Sequence, residues 1–268
     1  MYILVQCIVR VEQVLGLPTC LQNPSQSPVT LERFDVSVHP ETYDPESFKR
    51  LGFITALIDD VHFAKGGSKA TLTIDGHEQR AVAKRIYRTS DDDSLSLSNT
   101  ISLTENRALL EAECVRLALG RKFLGEYMGY VKEMEVAVFN NLEFTSAYLA
   151  TEKAVQFTST PSTASALDSF DGENGLTWLL ESKRAAVVIQ FTSTFDHKAR
   201  SSDLAALTVQ SFAHYVFGAT NGTVVMADLQ GTPAPVRGSD GIVLFYVMTH
   251  TQSGGSGLGD FGMEGIRL

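Results

Sequence analysis

The sequence predicts an α+β fold with two lobes, and three observations predict it. β-rich runs occupy much of the first two-thirds of the chain, a long amphipathic helix begins near Thr104, and a smaller helix-plus-strand region follows residue 184. A segment near residues 181–184 would link the lobes. The 268 residues amount to about 1.8 average domains, which fits one two-lobed unit and an additional N-terminal segment.

Composition excludes several classes of protein. A net charge of −9 argues against a nucleic-acid partner, and no apolar run is long enough to span a membrane. The apolar start at residues 1–9 favours a buried strand, with a signal peptide as the alternative. Three scattered cysteines, Cys7, Cys20 and Cys114, cannot build a disulfide framework. We therefore expect a protein of a reducing compartment, the cytoplasm.

The first lobe is predicted from runs of β character around one helix. Residues 16–50 contain six residues that are Pro or Gly, which predicts a loop-rich segment leading into the fold. Residues 69–75 and 79–87 predict a hairpin around Asp75-Gly76, whereas residues 88–100 predict an acidic loop. Apolar residues at three- and four-residue steps then predict a helix of about six turns with Thr104 as its N-cap. The further predicted strands are 136–144, 146–151, 176–181 and 185–191, with a loop over 159–175.

The last third predicts a helix, two strands and a glycine-rich tail. Apolar residues between Leu204 and Val216 have near-helical spacing, and Asn221-Gly222 predicts a turn into a strand over 223–228. That strand would end at Asp228-Leu229-Gln230-Gly231, and a Pro/Gly loop would lead to a second strand over 242–247.

Four sets of residues offer chemistry, although each also has an ordinary structural explanation. Lys84 lies in a strand with Val82 and Ile86 on its face, so its ammonium could reach phosphate oxygens and pair with Glu111 or Glu113; a surface lysine is the alternative. Asp228 and Gln230 stand two apart, so extended geometry would offer a carboxylate and an amide oxygen to Mg²⁺ from one face; a strand that simply ends in a turn is the alternative.

The tail contains a GxGxxG motif and the C-terminal part of the chain contains two isolated histidines. Gly257, Gly259 and Gly262 would let phosphate or a peptide approach the backbone, and a flexible tail is the alternative. His214 and His250 could bind a metal, or be a helix-face histidine and a loop histidine respectively.

The order of these elements is more specific than any one of them. Lys84, Glu111 or Glu113, residues 178–181 (WLLE), residues 211–215 (SFAHY), residues 228–231 (DLQG) and the glycine motif follow one another in the chain. Together they resemble the alpha-kinases, atypical protein kinases that include the myosin heavy-chain kinases and the elongation-factor-2 kinase. The resemblance runs from about residue 70 to the end and implies a two-lobed protein-kinase-like fold.

The resemblance also implies roles for individual residues. Lys84 resembles the lysine that binds the ATP phosphates, and Glu181 resembles the acidic residue that contacts adenine. Asp228 and Gln230 match the element that binds Mg²⁺ and takes part in phosphoryl transfer. The terminal glycines, Gly257, Gly259 and Gly262, look like the family's C-terminal glycine motif, and His214 matches a histidine that helps to bind a structural zinc.

Two departures from the family pattern bear on function. The family's Asp after the DLQG element is replaced by Tyr246, which is a poor base and a poor Mg²⁺ ligand at neutral pH. The family's further zinc ligands, which follow the glycine motif, have no counterparts, so the pattern argues against zinc and predicts a truncated C-terminus.

These observations predict an ATP- and Mg²⁺-dependent serine/threonine kinase acting on a protein substrate. Residues 1–65 would be an N-terminal segment of unknown role and residues 66–268 the kinase domain, with an N-lobe over about 66–181 and a C-lobe over about 184–268. One alternative is a pseudokinase that binds nucleotide and has impaired transfer because of Tyr246. Another is an interaction domain that binds no nucleotide.

Overall fold

The computed structural model describes residues 2–3, 25–39, 45–60, 67–74, 77–88, 101–155, 159–184, 187–196, 198 and 200–267. The strands are β1 (Tyr2–Ile3), β2 (Gln26–Val38), β3 (Pro45–Asp59), β4 (Gly67–Ile74), β5 (His77–Lys84), β6 (Tyr87–Arg88), β7 (Leu142–Phe144), β8 (Ala147–Lys153), β9 (Asn174–Ser182), β10 (Ile189–Gln190), β11 (Val224–Val236) and β12 (Ser239–Thr251). The helices are α1 (Leu103–Glu133), α2 (Leu204–Ala219) and α3 (Gly262–Arg267), with a 3-10 turn at Thr163–Ser165. No helix within these ranges has an apolar stretch of the length that a membrane crossing requires.

The chain divides into two compact units. The first comprises residues 1–35, 48–111 and 147–186, and the second comprises residues 36–47, 112–146 and 187–268. This mixed α+β architecture confirms the predicted fold class. The predicted domain limits at residue 65 stay a prediction, and the two units are interleaved along the sequence rather than consecutive.

A closed barrel of six strands builds the first unit, in the order β2-β3-β4-β5-β9-β8. The predicted hairpin is present, because β4 and β5 pair antiparallel from Ile74 opposite His77 to Gly67 opposite Lys84. Its turn residues, Asp75 and Gly76, lie outside the described residues, as does the predicted acidic loop beyond Arg88.

Inside the barrel, small apolar side chains on one strand lie next to large ones on the neighbouring strand. Ala81 and Ala83 of β5 face Trp178 and Leu180 of β9 in one buried cluster. Alanine on one strand leaves room for the indole of Trp178, whose Nε1 donates to Glu152 at 2.8 Å. Because side chains alternate along a strand, Val82 and Lys84 lie on the opposite face of β5.

The loop-rich region predicted over residues 16–50 is wrong where the structure describes it. Strand β2 begins at Gln26, and β3 begins at Pro45. Proline is tolerated as the first residue of a strand because it has no N–H to donate to the sheet. In β2, Val29 and Leu31 lie on one face of the strand and belong to the buried cluster inside the barrel.

Helix α1 has 31 residues, more than the predicted six turns. Its residues 103–111 belong to the first unit and its residues 112–133 to the second. The predicted N-cap, Thr104, is inside the helix; instead the Ser102 hydroxyl accepts a hydrogen bond from Glu105 N at 3.1 Å. Ser102 is therefore the cap, since a side-chain oxygen three residues before an unpaired N–H is the usual capping geometry.

The second unit is built on a four-stranded sheet in the order β10-β11-β12-β7. The Asn221-Gly222 turn lies between α2 and β11, with positive φ at both residues. Strands β11 and β12 pair antiparallel, whereas β7 pairs parallel to β12 from Leu142 opposite Ile242. Tyr127 of α1 packs edge-on against Phe212 of α2, with ring centroids 5.9 Å apart, in the core beside the sheet.

Two strands of this unit are longer than predicted and two are shorter. Strand β11 continues through Asp228-Leu229-Gln230-Gly231 to Val236, so the predicted strand end and the Pro/Gly loop after it are wrong. Pro233 and Pro235 fit because, among the described strands, β10 covers only Gln230 and Gly231 and leaves the rest of β11 as an edge. Strands β7 and β10 occupy only parts of the predicted runs 136–144 and 185–191.

Candidate functional site

In the first unit, Lys84 forms an ion pair with Glu181. Lys84 lies opposite Leu179 in the β5 and β9 pairing, and Glu181 is two residues further along β9 on the same face. Diagonal neighbours of this kind are within reach of long side chains. Lys84 Nζ lies 2.7 Å from Glu181 Oε1. The structure thus joins two predicted site residues that the sequence had not paired.

The predicted partners of Lys84 are wrong. Glu111 pairs with Arg107 at 2.8 Å, and Glu113 pairs with Arg116, both along α1 at helical spacing. Residues three or four apart on a helix are neighbours on its surface, so each glutamate finds its cation locally.

Glu181 is completely buried and is matched by two cations. Arg184 Nη1 lies 2.6 Å from Glu181 Oε2, the carboxylate oxygen that Lys84 does not bind. Burial by itself would raise the pKa of the Glu181 carboxyl, but the charges and hydrogen bonds of Lys84 and Arg184 outweigh it and lower the pKa. The carboxylate is therefore ionised at neutral pH, and it holds the Lys84 ammonium in place.

In the second unit, Asp228 and Gln230 meet at a bulge in β11. Asp228 and Leu229 together oppose Val247, since Ala227 pairs with Met248 and Gln230 pairs with Tyr246. Asp228 has φ of 47°, in the left-handed region that aspartate tolerates better than most residues. The sequence predicted that extended geometry would place the two side chains on one face. The structure instead brings them together through the bulge, which changes the direction of the side chains.

The bulge is held by the segment before α2. Asp228 N donates to Ser193 O at 3.2 Å, and Leu229 N donates to the Thr192 hydroxyl at 3.0 Å. Thr192 is fully buried, so its hydroxyl satisfies a backbone N–H that the interrupted ladder would otherwise leave unpaired.

The side chains of the bulge offer oxygen atoms to a cation. Gln190 Nε2 and Gln230 Nε2 both donate to Asp228 Oδ1 at 2.9 Å. Among the described residues no hydrogen bond is made to Asp228 Oδ2, so this carboxylate oxygen is one candidate ligand for Mg²⁺. The neutral amide oxygen of Gln230 is a second oxygen ligand of a kind that Mg²⁺ binds. The two residues fit Mg²⁺ as a pair of protein ligands, with phosphate and water oxygens completing the shell.

Tyr246 lies directly across the ladder from Gln230. Burial, followed by the negative charges of Glu113 and Asp228, raises the pKa of the Tyr246 hydroxyl to about 12, although Arg116 opposes the shift. The hydroxyl is therefore neutral at physiological pH, and it can donate a hydrogen bond but cannot act as a base.

The glycine motif forms a defined loop between β12 and α3. Gly257, Gly259 and Gly262 have φ of 119°, 81° and 61° respectively, which only glycine adopts readily. The loop is followed by a short helix that the sequence did not predict, α3. Asp260, inside the motif, accepts hydrogen bonds from residues on both sides of it.

The two histidines differ in burial and in their neighbours. His214 is exposed on α2 and lines a cavity of about 470 Å³ with Phe195, Met226 and Ile266. His250 is fully buried in β12, not in a loop, with Nε2 3.0 Å from Thr194 O, and Nδ1 accepts from Phe261 N at 3.3 Å.

Zinc does not fit these residues. Both ring nitrogens of His250 are engaged by the backbone, and across the described ranges there is no group of three or more His, Cys, Asp or Glu that could hold a metal.

Four residues of these sites were not singled out from the sequence. Arg184 and Arg116 each lie three residues from a predicted site glutamate, a spacing that was a usable signal. Asp260 lies inside the GLGDFG motif, where an acidic residue among glycines could have been noticed. Thr192 had no sequence signal, because its role depends on the bulge.

Comparison with known structures finds alpha-kinase domains. An alpha kinase from Entamoeba histolytica has a TM-score of 0.61 at 16% identity, covering 91% of this chain and 86% of that one. The inactive alpha-kinase domain of myosin heavy chain kinase A in complex with ATP has a TM-score of 0.58 at 14% identity, covering 91% of both. The AMP complex of that domain gives 0.57 at 14% identity, covering 90% of this chain and 92% of that one. These likenesses confirm the kinase-like fold.

Comparison of the sequence with curated proteins finds no match. The model of the alpha-kinase family matches residues 63–268, which is more than half of the chain. The resemblance found in the motifs is thereby confirmed, and the chain belongs to the alpha-kinase family of protein kinases.

Proposed function

We propose that the chain binds ATP and transfers its γ-phosphate to a serine or threonine hydroxyl of a protein substrate. The observation that carries the proposal is the Asp228–Gln230 pair, aimed by a bulge whose backbone at Asp228 is left-handed. Backbone of this kind is costly and tends to occur at functional sites. The complexes of the related myosin heavy chain kinase A domain with ATP and AMP support ATP as the nucleotide.

In the first unit, Lys84 would bind the phosphates of ATP. Its side chain is 16% exposed and its ammonium is held by Glu181, so little side-chain entropy remains to be lost on binding. The Glu181 side chain itself is not exposed and already binds two cations, which supports a role in orienting Lys84. The predicted contact between Glu181 and adenine stays a prediction.

In the second unit, Asp228 and Gln230 would hold Mg²⁺. When bound, the ion would neutralise charge on the phosphates. The contribution of the protein is to present the Asp228 carboxylate and the Gln230 amide at a fixed separation, because phosphoryl transfer depends mostly on positioning and charge neutralisation. A protein partner in the cytoplasm also stays a prediction.

A second candidate function, nucleotide binding without transfer, is favoured by Tyr246. A phenol with a pKa of about 12 cannot accept the proton of an attacking hydroxyl at neutral pH. An inactive form of the myosin heavy chain kinase A domain was solved with ATP, so in that relative ATP binding persists without activity.

The experiment that separates the two functions is transfer of radiolabelled phosphate from ATP to a basic peptide containing Ser and Thr. Wild type, Lys84→Ala and Tyr246→Asp are compared in the presence of Mg²⁺. Transfer by wild type that Lys84→Ala abolishes supports the kinase, whereas a silent wild type with transfer by Tyr246→Asp supports the second candidate.

Thermal unfolding with and without ATP and Mg²⁺ provides the control for binding. Both candidate functions predict a higher Tm with nucleotide for wild type, because a ligand that binds only the folded state stabilises it. Equal labelling of all three proteins, together with no shift in Tm, would contradict both functions and leave the interaction domain as the remaining hypothesis.

A further inference from the structure

The glycine motif contains its own anion. The Asp260 carboxylate accepts five hydrogen bonds from the loop and its flanks: Oδ1 from Thr251 N and Gly262 N, each at 2.9 Å, and Oδ2 from the Thr251 hydroxyl at 2.6 Å, Ser256 N at 2.9 Å and the Ser256 hydroxyl at 2.8 Å. Three backbone N–H groups therefore converge on one carboxylate.

This arrangement has the geometry of an anion-binding nest. Concave sets of backbone N–H groups near positive-φ residues bind phosphate in glycine loops of nucleotide-binding proteins. Here the group that they surround is the side chain of Asp260. Burial would raise the pKa of Asp260, but the hydrogen bonds from Thr251, Ser256 and Gly262 outweigh it and lower the pKa, so the carboxylate is ionised.

Two carbonyl groups of the same loop accept hydrogen bonds from Arg116. Arg116 Nη1 donates to Ser256 O at 3.2 Å and to Leu258 O at 3.0 Å. A Cβ on Gly257, between these two residues, would lie 2.6 Å from Arg116 Nη1, so only glycine lets the guanidinium approach. Arg116 is buried and its charge is balanced by Glu113.

We propose that Asp260 is an internal anion that fills this nest, so that the glycine motif is preformed and closed to the phosphates of a nucleotide. A phosphate would have to displace a carboxylate with five hydrogen bonds and would meet its negative charge. Gly257, Gly259 and Gly262 then serve to shape the loop around Asp260 and Arg116. The predicted role of these glycines in binding a nucleotide is replaced by a structural one.

Chemical rescue tests this inference directly. Asp260→Ala empties the nest, and we expect its Tm to fall by about 5 °C, since hydrogen bonds to a charged group are lost. Sodium formate, a carboxylate small enough to enter the vacated space, should recover at least half of that loss, and inorganic phosphate should bind the variant and not wild type. Sodium chloride at equal ionic strength should recover none of it.

Glu264→Gln is the matched control, because it removes an exposed carboxylate from the adjoining helix. Its Tm should not respond to formate. A folded Asp260→Ala variant that formate does not stabilise, or a control that responds equally, would overturn the inference.

Asp260→Asn keeps the shape of the side chain and decides the question if the alanine variant does not fold. An amide cannot accept at both positions, so hydrogen exchange at Ser256 N or Gly262 N should accelerate about tenfold. ATP affinity should stay within about twofold of wild type. Unchanged exchange, or a tenfold loss of ATP affinity, would contradict the proposal. Because neither the rescue nor the exchange measurement needs phosphoryl transfer, failure of the proposed kinase activity leaves this test intact.

Discussion

The charged sites of the two units differ in how their carboxylates are balanced. Glu181 in the first unit is buried between Lys84 and Arg184, so its charge is fully matched within the unit. Asp228 in the second unit accepts from two neutral amides, and the neighbour across the ladder from Gln230 is the neutral phenol of Tyr246. The first unit thus pairs its buried carboxylate with cations, whereas the second leaves its carboxylate among neutral groups.

The largest expected effect tests the first-unit site. Lys84→Met should abolish transfer and ATP binding, and it should lower the free energy of unfolding by about 3 kcal/mol because Glu181 loses one of its two cations in a buried site. ATP-dependent Tm shifts and urea unfolding measure the two effects.

Lys183→Met is the matched control for that variant, since Lys183 is an exposed lysine one residue from Arg184. It should leave both quantities unchanged. The double variant Lys84→Met, Glu181→Gln should recover part of the stability without recovering ATP binding. Recovery of both would mean that Lys84 acts only through stability.

The second prediction tests the difference at Tyr246. Tyr246→Asp should raise transfer about 100-fold, which is a typical contribution of a general base. Because the new carboxylate would join Glu113 and Asp228, it should also lower the Tm in the absence of Mg²⁺ and make the Tm rise on adding Mg²⁺.

Tyr246→Phe is the control for that change, because it removes the hydroxyl without adding a charge. It should neither gain transfer nor acquire a Mg²⁺-dependent Tm. A gain with phenylalanine as large as that with aspartate would show that the hydroxyl obstructs transfer and that no carboxylate is missing.

The third prediction tests the support of the bulge. Thr192→Val leaves Leu229 N buried without an acceptor and should cost about 2 kcal/mol of unfolding free energy. Transfer, measured at saturating ATP, should fall while ATP affinity is kept. Thr194→Val, a less buried change two residues away, should show neither effect; a loss of ATP affinity in Thr192→Val would contradict the assignment.

The smallest effect concerns the pH dependence of the first-unit ion pair. The pKa of Glu181 is lower in the folded state, so its contribution to stability is present above its unfolded pKa near 4.5 and is lost as pH falls through the folded value. In wild type, the free energy of unfolding should decrease as the pH falls below about 4.5. Glu181→Gln should reduce the slope of this decrease by up to about 1.4 kcal/mol per pH unit. An unchanged slope, from denaturant unfolding at several pH values, would contradict the lowered pKa.

Local signals in the sequence were sufficient for much of the fold. The hairpin of β4 and β5, the strand through Trp178 and the two main helices follow from periodicity and turn residues, which act over short distances. The strands between residues 26 and 59 were missed because proline was interpreted as a loop signal, whereas Pro45 begins a strand. Closure of the barrel requires pairing between strands that are far apart in the sequence, and local composition does not predict such pairing.

The candidate site was predictable as a set of residues but not as a set of contacts. Lys84, Glu181, Asp228 and Gln230 were identified from their order in the chain, and the structure pairs the first two and the last two. The partner of Lys84 was missed because it depends on the register of β5 against β9. The contact between Asp228 and Gln230 depends on a bulge, which periodicity cannot reveal.

The hairpin of β11 and β12 carries a second irregularity that cancels the first. After the extra residue at the Asp228 bulge, β12 contributes its own extra residue, Phe245, so that Gly231 pairs with Leu244 and the original register returns. Beyond this point the hairpin ends in a two-residue turn, Arg237-Gly238, with positive φ at both residues. The turn is exposed and lies beyond the point at which the original register returns. A short peptide tag or fluorophore inserted there should therefore leave the strand pairing at Asp228 unchanged.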